Sequence, residues 1–348
     1  MSGHETLSAE TGAPENTHWS EQSEQASRYW HVRLLLLLVK YLPMIIVRIL
    51  TFPVALSYFI AAKRVREVSR LYLERAVNSI NRDGQGNGRR LRVNVFKHSH
   101  AFALTVVEKV EAWGGKVLLN RIHFQEDDIT GLKETLEKRK GALLICSHLG
   151  NAELLRALAD FNRTGVSRNI PVTSIVDFTV TAYFNRMLRE VNPGSMMHII
   201  SADDIGPGTI IMLQERLAAG ELVVIAGDRT SANTRDKYFL FPFLGDDAPF
   251  GYGSFFLAAL LDAPTYFVFA LRQKDVSLSS QYNMYVHKSP VSFDCSRRER
   301  EARIKETARL FAADLERHCK QHPYQWYNFY DFWAQPLTPA KLHAKETT

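Results

Sequence analysis

The sequence predicts an α/β fold in which helices flank a largely parallel central sheet, preceded by an N-terminal membrane-associated helical segment. Short apolar runs alternate with helical patterns, which is typical of βαβ units. A chain of 348 residues, 46% of them hydrophobic, is long enough to bury a full core. We therefore divide the chain into an acidic tail at residues 1–27, a membrane-associated helical segment at 28–82, an α/β domain at 90–335 and a C-terminal tail at 336–348.

The N-terminal tail and the segment after it carry opposite charge. Residues 1–27 contain five glutamates and no Lys or Arg, and this polar stretch is predicted to be disordered. In residues 28–70 the only acidic residue is Glu67, against eight basic ones: Arg28, Arg33, Lys40, Arg48, Lys63, Arg64, Arg66 and Arg70. These basic residues surround the most apolar part of the chain, which indicates contact with an anionic membrane surface.

That apolar part, residues 34–62, is interrupted by Lys40, Pro43, Arg48 and Pro53. Its longest uncharged run has 14 residues, whereas a spanning helix needs about 20. We expect broken helices that lie in the interface or enter one leaflet, with the basic residues reaching lipid headgroups. Two alternatives stay open. One is a single transmembrane helix, whose basic flank at 63–66 would leave the following domain in the cytoplasm; the other is an amphipathic helix packed on that domain.

Periodicity and turn residues predict the other elements. Helices are expected at 64–82 and 95–113. The predicted strands are 142–146, 172–176, 197–200, 222–226 and 265–270, separated by helices at 152–160, 180–190 and 209–219, a long loop at 230–250 and a helix at 252–262. An antiparallel edge strand follows at 281–287. Ser296 then caps a long helix with a core stripe at Ile304, Ala308, Phe311, Leu315 and Cys319.

His148 lies at the carboxyl end of strand 142–146, the edge where open parallel sheets bind ligands. Gly150 permits a sharp turn, and Asn151 is expected to cap the following helix, whose first turn contains Glu153. Residues five apart on one helix point about 140° from each other, so His148 and Glu153 meet only if the chain bends between them. The carboxylate would then accept a hydrogen bond from one ring nitrogen and leave the other as a base. Alternatively, Glu153 only favours the helix dipole.

Two further strand ends carry polar side chains. Asp177 follows strand 172–176, while Asp228 and Arg229 follow strand 222–226 after Gly227. An arginine can hold a phosphate through two hydrogen bonds, although an Asp–Arg pair that only fixes the loop is also common. His98 and His100 lie two apart on a predicted helix and share no face, so we expect no metal site there.

Other site chemistries find little support. Ser254 does not fit a Gly-x-Ser-x-Gly elbow, so it is a poor candidate for a hydrolase nucleophile. The chain has no Walker loop, and its three cysteines form no Cys-x-x-Cys pair. Nucleic-acid binding is not expected, because the basic residues cluster with Leu and Ile rather than with stacking aromatics.

Four sequence stretches occur in the order found in one enzyme family. They are Ser-His-Leu-Gly-Asn-Ala-Glu at 147–153, Gly-Asp-Arg at 227–229, Phe-Pro-Phe-Leu-Gly at 241–245 before a helix, and His-Pro-Tyr-Gln-Trp-Tyr at 322–327. Together they resemble the lysophospholipid acyltransferase superfamily, particularly its bacterial lipid A acyltransferase branch, whose hallmark is a His-x4-Asp/Glu block. The resemblance implies that His148 is a general base and that Glu153 orients it.

The resemblance also implies an enzyme without metal or other cofactor, on the cytoplasmic side of the inner membrane. Its co-substrate would be an acyl thioester of acyl carrier protein or coenzyme A, and its acceptor a lipid or glycolipid hydroxyl. Asn151, Asp177, Asp228 and Arg229 would bind substrate, with Arg229 or backbone N–H groups near Asn151 facing the oxyanion. Many relatives have arginine where this chain has Asp177. The rival hypotheses are a non-catalytic membrane lipid-binding protein that keeps the fold, and a lipid hydrolase.

Overall fold

The computed structural model describes residues 29–84, 91–114, 119–125, 129–154, 165–176, 199–229 and 237–333. The helices are α1 (Tyr29–Tyr41), α2 (Met44–Ala61), α3 (Lys63–Arg82), α4 (Val95–Trp113), α5 (Ile129–Glu137), α6 (Pro207–Ala218), α7 (Gly253–Leu261) and α8 (Arg297–Gln321). The strands are β1 (Ile122–Phe124), β2 (Ala142–Cys146), β3 (Val172–Val176), β4 (Ile199–Ser201), β5 (Leu222–Ala226), β6 (Tyr238–Phe243), β7 (Asp246–Gly251), β8 (Thr265–Arg272) and β9 (Tyr282–Lys288).

Seven strands form the central sheet in the order β1-β9-β8-β2-β5-β3-β4. Strands β2, β3, β4, β5 and β8 run parallel, and β9 is antiparallel to β8. The predicted α/β class and mostly parallel sheet are therefore confirmed. The predicted edge position of 281–287 is wrong, because β1 pairs with β9 on its outer side. The tails at 1–27 and 336–348, the helix at 180–190 and Asp177 lie outside the described residues.

The long C-terminal helix α8 covers one face of the sheet. Its predicted stripe is fully inside the core, since the five side chains are at most 1% exposed: Ile304, Ala308, Phe311, Leu315 and Cys319. The Glu299 carboxylate accepts a hydrogen bond from the backbone N–H of Ser296 at 3.1 Å, which completes the predicted start of the helix. The stripe belongs to the main hydrophobic core, together with side chains of the sheet.

The predicted long loop at 230–250 is partly wrong, because residues 238–251 form an antiparallel hairpin of β6 and β7. Leu244 and Gly245 make its turn, both with positive φ, at 53° and 101°. Two-residue hairpin turns of this kind usually carry Asn-Gly, and Pro242 further obscures the strand pattern. The aromatic side chains of the hairpin pack into the main core, so packing accounts for its apolar composition.

The N-terminal segment folds into α1, α2 and α3. Helix α2 is the one described helix long and apolar enough to cross a membrane, by length and composition. The predicted break occurs at Pro43, between α1 and α2, but Pro53 lies inside α2 without ending it. The prediction that Arg48 reaches headgroups is wrong. Arg48 is 4% exposed and pairs with the buried Glu111 of α4, while its Nη1 donates to the carbonyl of Leu278 at 3.0 Å.

Candidate active site

The register of two neighbouring strands brings a histidine and an aspartate together. Strands β2 and β5 are parallel, and their last residues, Cys146 and Ala226, are paired. His148 and Asp228 each lie two residues beyond these strand ends, at the carboxyl edge of the sheet. The two side chains therefore meet although 80 positions separate them in the sequence.

The Asp228 carboxylate is fully buried and accepts three hydrogen bonds. His148 Nδ1 lies 2.9 Å from Oδ1, the backbone N–H of His148 donates to Oδ2 at 2.8 Å, and Trp326 Nε1 donates to Oδ2 at 2.9 Å. Because an ionised carboxylate only accepts, Nδ1 of His148 carries a proton. Its Nε2 is then left with the lone pair, and no described residue hydrogen-bonds to that atom.

Electrostatics keep this pair in a base-competent state. Burial lowers the pKa of His148 below its ordinary 6.5 and the charge of Arg229 lowers it further, while Asp228 acts in the opposite direction. Burial would raise the pKa of Asp228, but His148, Arg229 and the Trp326 N–H together hold it below its ordinary value. At neutral pH the imidazole is therefore neutral beside an ionised carboxylate. The His148 side chain keeps 32% of its surface exposed, so a substrate can reach it.

The loop after His148 is held between β8 and the C-terminal segment. The backbone N–H of Gly150 donates to Gln325, that of Asn151 donates to Ala270, and that of Tyr327 donates to His148, all within 3.1 Å. Gly150 has φ +73°, and a Cβ there would lie 2.2 Å from the Ala270 oxygen. Only glycine fits this turn, which turns the chain from β2 toward the helix that begins at Glu153.

Glu153 does not orient the histidine. Its Oε2 accepts a hydrogen bond from Trp113 Nε1 at 3.1 Å, and the Nδ1 hydrogen bond of His148 goes to Asp228. The predicted contact between Glu153 and His148 is therefore wrong, because Nδ1 of His148 hydrogen-bonds to Asp228, which follows the neighbouring strand β5. Whether Glu153 contributes to catalysis stays a prediction.

Asn151 is also placed differently from the expectation. Asn151 is 2% exposed, and among the described residues neither its side-chain oxygen nor its side-chain nitrogen has a hydrogen-bond partner, so the predicted side-chain cap is not formed. The backbone N–H groups of Gly150 and Asn151 are both engaged elsewhere and do not face an oxyanion. A role of the Asn151 side chain in substrate binding remains a prediction.

Arg229 lies beside the pair, where the C-terminal segment fixes it. Its Nε donates to Asn328 Oδ1 at 3.3 Å, and the guanidinium carbon lies 5.8 Å from the centre of the Tyr330 ring. Asn328 and Tyr330 are buried and were missed from the sequence. The sequence marks the neighbouring stretch 322–327 as a motif, but no periodicity indicates which of its side chains face the sheet edge.

Other reactive groups are poorly placed for nucleophilic or metal chemistry. Burial raises the pKa of Cys146 to about 12, so its thiol stays protonated. Ser254 donates to the carbonyl of Ala226 at 2.6 Å at the buried start of α7. His98 is buried and contacts the carbonyl of Trp326, which confirms a packing role.

Among the described residues, one group of three side chains has the spacing of metal ligands. His287, Asp314 and His318 place their ligand atoms within 4.8 Å of one another. Arg317 Nη2, however, already donates to Asp314 Oδ1 at 2.5 Å. A cation would have to displace this guanidinium, so the group fits a hydrogen-bonded network better than a metal site.

Comparison with known proteins identifies the family of this chain. A search of curated proteins finds no match. The family model described as bacterial lipid A biosynthesis acyltransferase matches residues 17–335, which include α1 to α8 and the whole sheet. The match supports a membrane acyltransferase activity. The chain belongs to the bacterial lipid A biosynthesis acyltransferase family.

Proposed function

We propose that the protein transfers a fatty acyl group from a thioester donor to a hydroxyl of a lipid or glycolipid, at the cytoplasmic face of the inner membrane. The observation that carries this proposal is the hydrogen bond between His148 Nδ1 and the buried Asp228 at 2.9 Å, made by a side chain that is still 32% exposed. This is the arrangement of a general base that removes a proton from an alcohol.

In the proposed step, Nε2 of His148 takes the hydroxyl proton while the acceptor oxygen attacks the thioester carbonyl. The new C–O bond forms, the C–S bond breaks, and the leaving thiolate takes the proton from the imidazolium. Asp228 stabilises the transient positive charge of the ring. General-base catalysis of this kind contributes roughly 10² to 10⁴ in rate.

Arg229 is the residue we assign to the developing negative charge. It is half-buried, is fixed by Asn328 and lies close enough to His148 to lower the pKa of that ring. A fixed guanidinium in a partly desolvated site can stabilise an oxyanion or hold a phosphate of the donor or acceptor. Glu153, half-buried at the start of the next helix, is assigned to support the site through Trp113 rather than to orient His148.

The donor is acyl carrier protein or acyl-coenzyme A, and no metal or other cofactor takes part in this scheme. The chain has a formal net charge of +6, and α3 contributes Lys63, Arg64, Arg66, Arg70, Arg75 and Arg82. An acidic carrier protein would be attracted to such a surface. A lipid A precursor is one acceptor that fits, and another lipid or glycolipid hydroxyl fits the same chemistry.

The experiment is an acyl-transfer assay with purified protein in lipid nanodiscs, using labelled acyl carrier protein and acyl-coenzyme A donors with a total lipid extract. His148→Ala is expected to lose at least a hundredfold in rate because it removes the base. His123→Ala is the matched control, since His123 is exposed on β1 and its ring hydrogen-bonds to Gln281 at 3.1 Å. Comparing the lipids of cells with and without the gene by mass spectrometry identifies the acceptor.

Each alternative has its own outcome. Full activity of His148→Ala would contradict the mechanism. Lipid binding without transfer from either donor would favour the non-catalytic lipid-binding protein. Labelling by a serine-reactive fluorophosphonate would favour the hydrolase, and the hydrogen bond of Ser254 to a backbone carbonyl argues against it.

A further inference from the structure

The first two helices have one face on the protein and one face in solvent. The buried residues of α2 are Val47, Arg48, Thr51 and Ala55, which recur at helical spacing. The other side of α1 and α2 exposes large apolar side chains, each at least 38% exposed: Leu34, Leu37, Tyr41, Ile45, Ile46, Ile49, Leu50, Phe52, Val54, Leu56 and Ile60. Soluble monomeric proteins rarely expose an apolar patch of this size. Such a patch indicates contact with a membrane or a partner.

Helix α2 is attached sideways to α4 over most of its length. Near its start, Arg48 pairs with Glu111 near the end of α4. Further along, Thr51 contacts His100 at 3.2 Å, and Phe59 packs edge-on against Phe96 with ring centres 5.6 Å apart. Positions 48 to 59 thus follow α4 in the antiparallel sense for about 17 Å.

The opposite side of α4 is fixed to the catalytic domain. Thr105 hydrogen-bonds to the hydroxyl of Tyr327 at 2.8 Å, and Arg272 of β8 donates to Glu108 at 2.7 Å inside the core. Both residues of the Arg272–Glu108 pair are at most 2% exposed in their side chains. Helix α2 therefore cannot swing away from the domain without breaking α4 from the sheet edge or breaking its own buried ion pair.

This attachment is incompatible with a bilayer crossing by α2. A spanning helix passes through about 30 Å of hydrocarbon, and α4, which packs along α2, would have to enter that layer together with Lys97, Glu108, Lys109 and Glu111. Helix α1, with 13 residues, reaches only about 20 Å. The geometry instead allows the exposed apolar face to sink into one side of a membrane while α4 stays outside.

We propose that α1 and α2 form a monotopic wedge that enters one leaflet of an anionic bilayer. The tail before Tyr29 and the catalytic domain then lie on the same side of the membrane. Lipid headgroups fit the border of the patch, where Lys40, Lys63, Arg64 and Arg70 are exposed next to the apolar residues. This mode of attachment is independent of the acyl-transfer chemistry.

The test is the sidedness of single cysteines in right-side-out and inverted inner-membrane vesicles, with a membrane-impermeant maleimide. Cys146 and Cys319 are buried, and the half-buried Cys295 is replaced by serine. Reporter positions are Ser27→Cys in the tail, Tyr41→Cys at the end of α1 and Glu215→Cys on α6. We expect Ser27→Cys and Glu215→Cys to be labelled only in inverted vesicles, and Tyr41→Cys not to be labelled in right-side-out vesicles.

If α2 crossed the bilayer, Ser27→Cys or Tyr41→Cys would be labelled in right-side-out vesicles, and this result would overturn the proposal.

A second measurement tests the wedge itself by flotation with vesicles of 3:1 phosphatidylethanolamine and phosphatidylglycerol. Val54→Asp on the exposed face of α2 is expected to reduce the floated fraction at least fivefold. Ile211→Asp, at 57% exposure on α6, is the matched control and is expected to float like the unchanged protein. Equal flotation of the two variants would contradict the wedge.

Discussion

In two places within the described residues, a histidine Nδ1 hydrogen-bonds to an aspartate carboxylate, and the surroundings of the two pairs differ. At the carboxyl edge of the sheet, His148 Nδ1 lies 2.9 Å from Asp228. Between β9 and α8, His287 Nδ1 lies 2.5 Å from Asp314, whose other oxygen is held by Arg317. The guanidinium of Arg317 also lies 3.2 Å from Nε2 of His287.

The difference is in what surrounds each pair. Apart from the His148 ring, Asp228 accepts hydrogen bonds from neutral donors, the His148 backbone and the Trp326 indole, so its charge is left to act on the imidazole. The charge of Asp314 is neutralised by Arg317, and His318 stacks on His287 with 4° between the rings. A histidine–aspartate contact thus marks a base only where the second ring nitrogen is open and the carboxylate is not already paired with a cation.

Neutralising each aspartate is expected to separate the pairs most strongly. Asp228→Asn should lower acyl transfer by roughly 10² to 10⁴, because the ring loses the charge that stabilises its protonated form. Asp314→Asn should leave the rate within about twofold. Steady-state rates in nanodiscs measure both, and thermal unfolding checks that the variants fold. Equal losses in the two variants would mean that the comparison does not distinguish a catalytic pair.

Acid should destabilise the region around the second pair. Burial lowers the pKa of His318 to about 4, against 6.5 when unfolded, so the unfolded chain binds the extra proton between these values. Stability is therefore lost as the pH falls from 6.5 to 4, by up to about 3 kcal/mol for this group.

His318→Phe should remove that part of the pH dependence, because His318 lies in an aromatic cluster with Phe269 and Tyr285 that can accept a phenyl ring. Denaturant unfolding at several pH values measures the slope of the unfolding free energy against pH. Buried His98, with a pKa of about 4, titrates in the same window and should leave a residual slope in the variant. Identical slopes in the two proteins would contradict the assignment to His318.

Removing one donor from the Asp228 carboxylate should have a smaller effect on catalysis. Trp326→Phe deletes the indole hydrogen bond, and bonds to charged groups contribute about 1.5–3 kcal/mol. We expect a raised pKa of Asp228 and a rate about tenfold lower. Trp333→Phe is the control for loss of ring size, since its Nε1 has no hydrogen-bond partner within the described part of the chain. The pH–rate profiles of the two variants are compared. Matching profiles would mean that the Trp326 hydrogen bond does not affect catalysis.

Among the variants of the site at the sheet edge, Glu153→Gln should have the smallest effect on the rate. Glutamine keeps an oxygen for the Trp113 N–H, and Glu153 makes no hydrogen bond to His148. The rate is expected to fall less than about tenfold. A loss as large as that of His148→Ala would restore Glu153 to direct catalysis and assign Asp228 a structural role.

Several elements could be predicted from local pattern because they depend on neighbours in the sequence. Helix α4 has the predicted bounds of 95–113, and strands β2, β3 and β5 have theirs, since apolar periodicity and flanking turn residues decide them. The hairpin of β6 and β7 was missed because Leu244-Gly245 is an unusual pair for such a turn. The sequence predicts the apolar N-terminal helices, but it does not predict that the Arg48 side chain is buried in an ion pair with Glu111.

The sequence alone determined that a histidine would stand at the carboxyl end of an inner strand, followed by a glycine turn and a helix. It also indicated Asp228-Arg229 at a second strand end. Only the tertiary structure decided which carboxylate meets the imidazole, because that choice depends on the register of β2 against β5, not on spacing along the chain. The same holds for Trp326 and Asn328, which reach the site from a segment whose position is set by packing against the loop after His148.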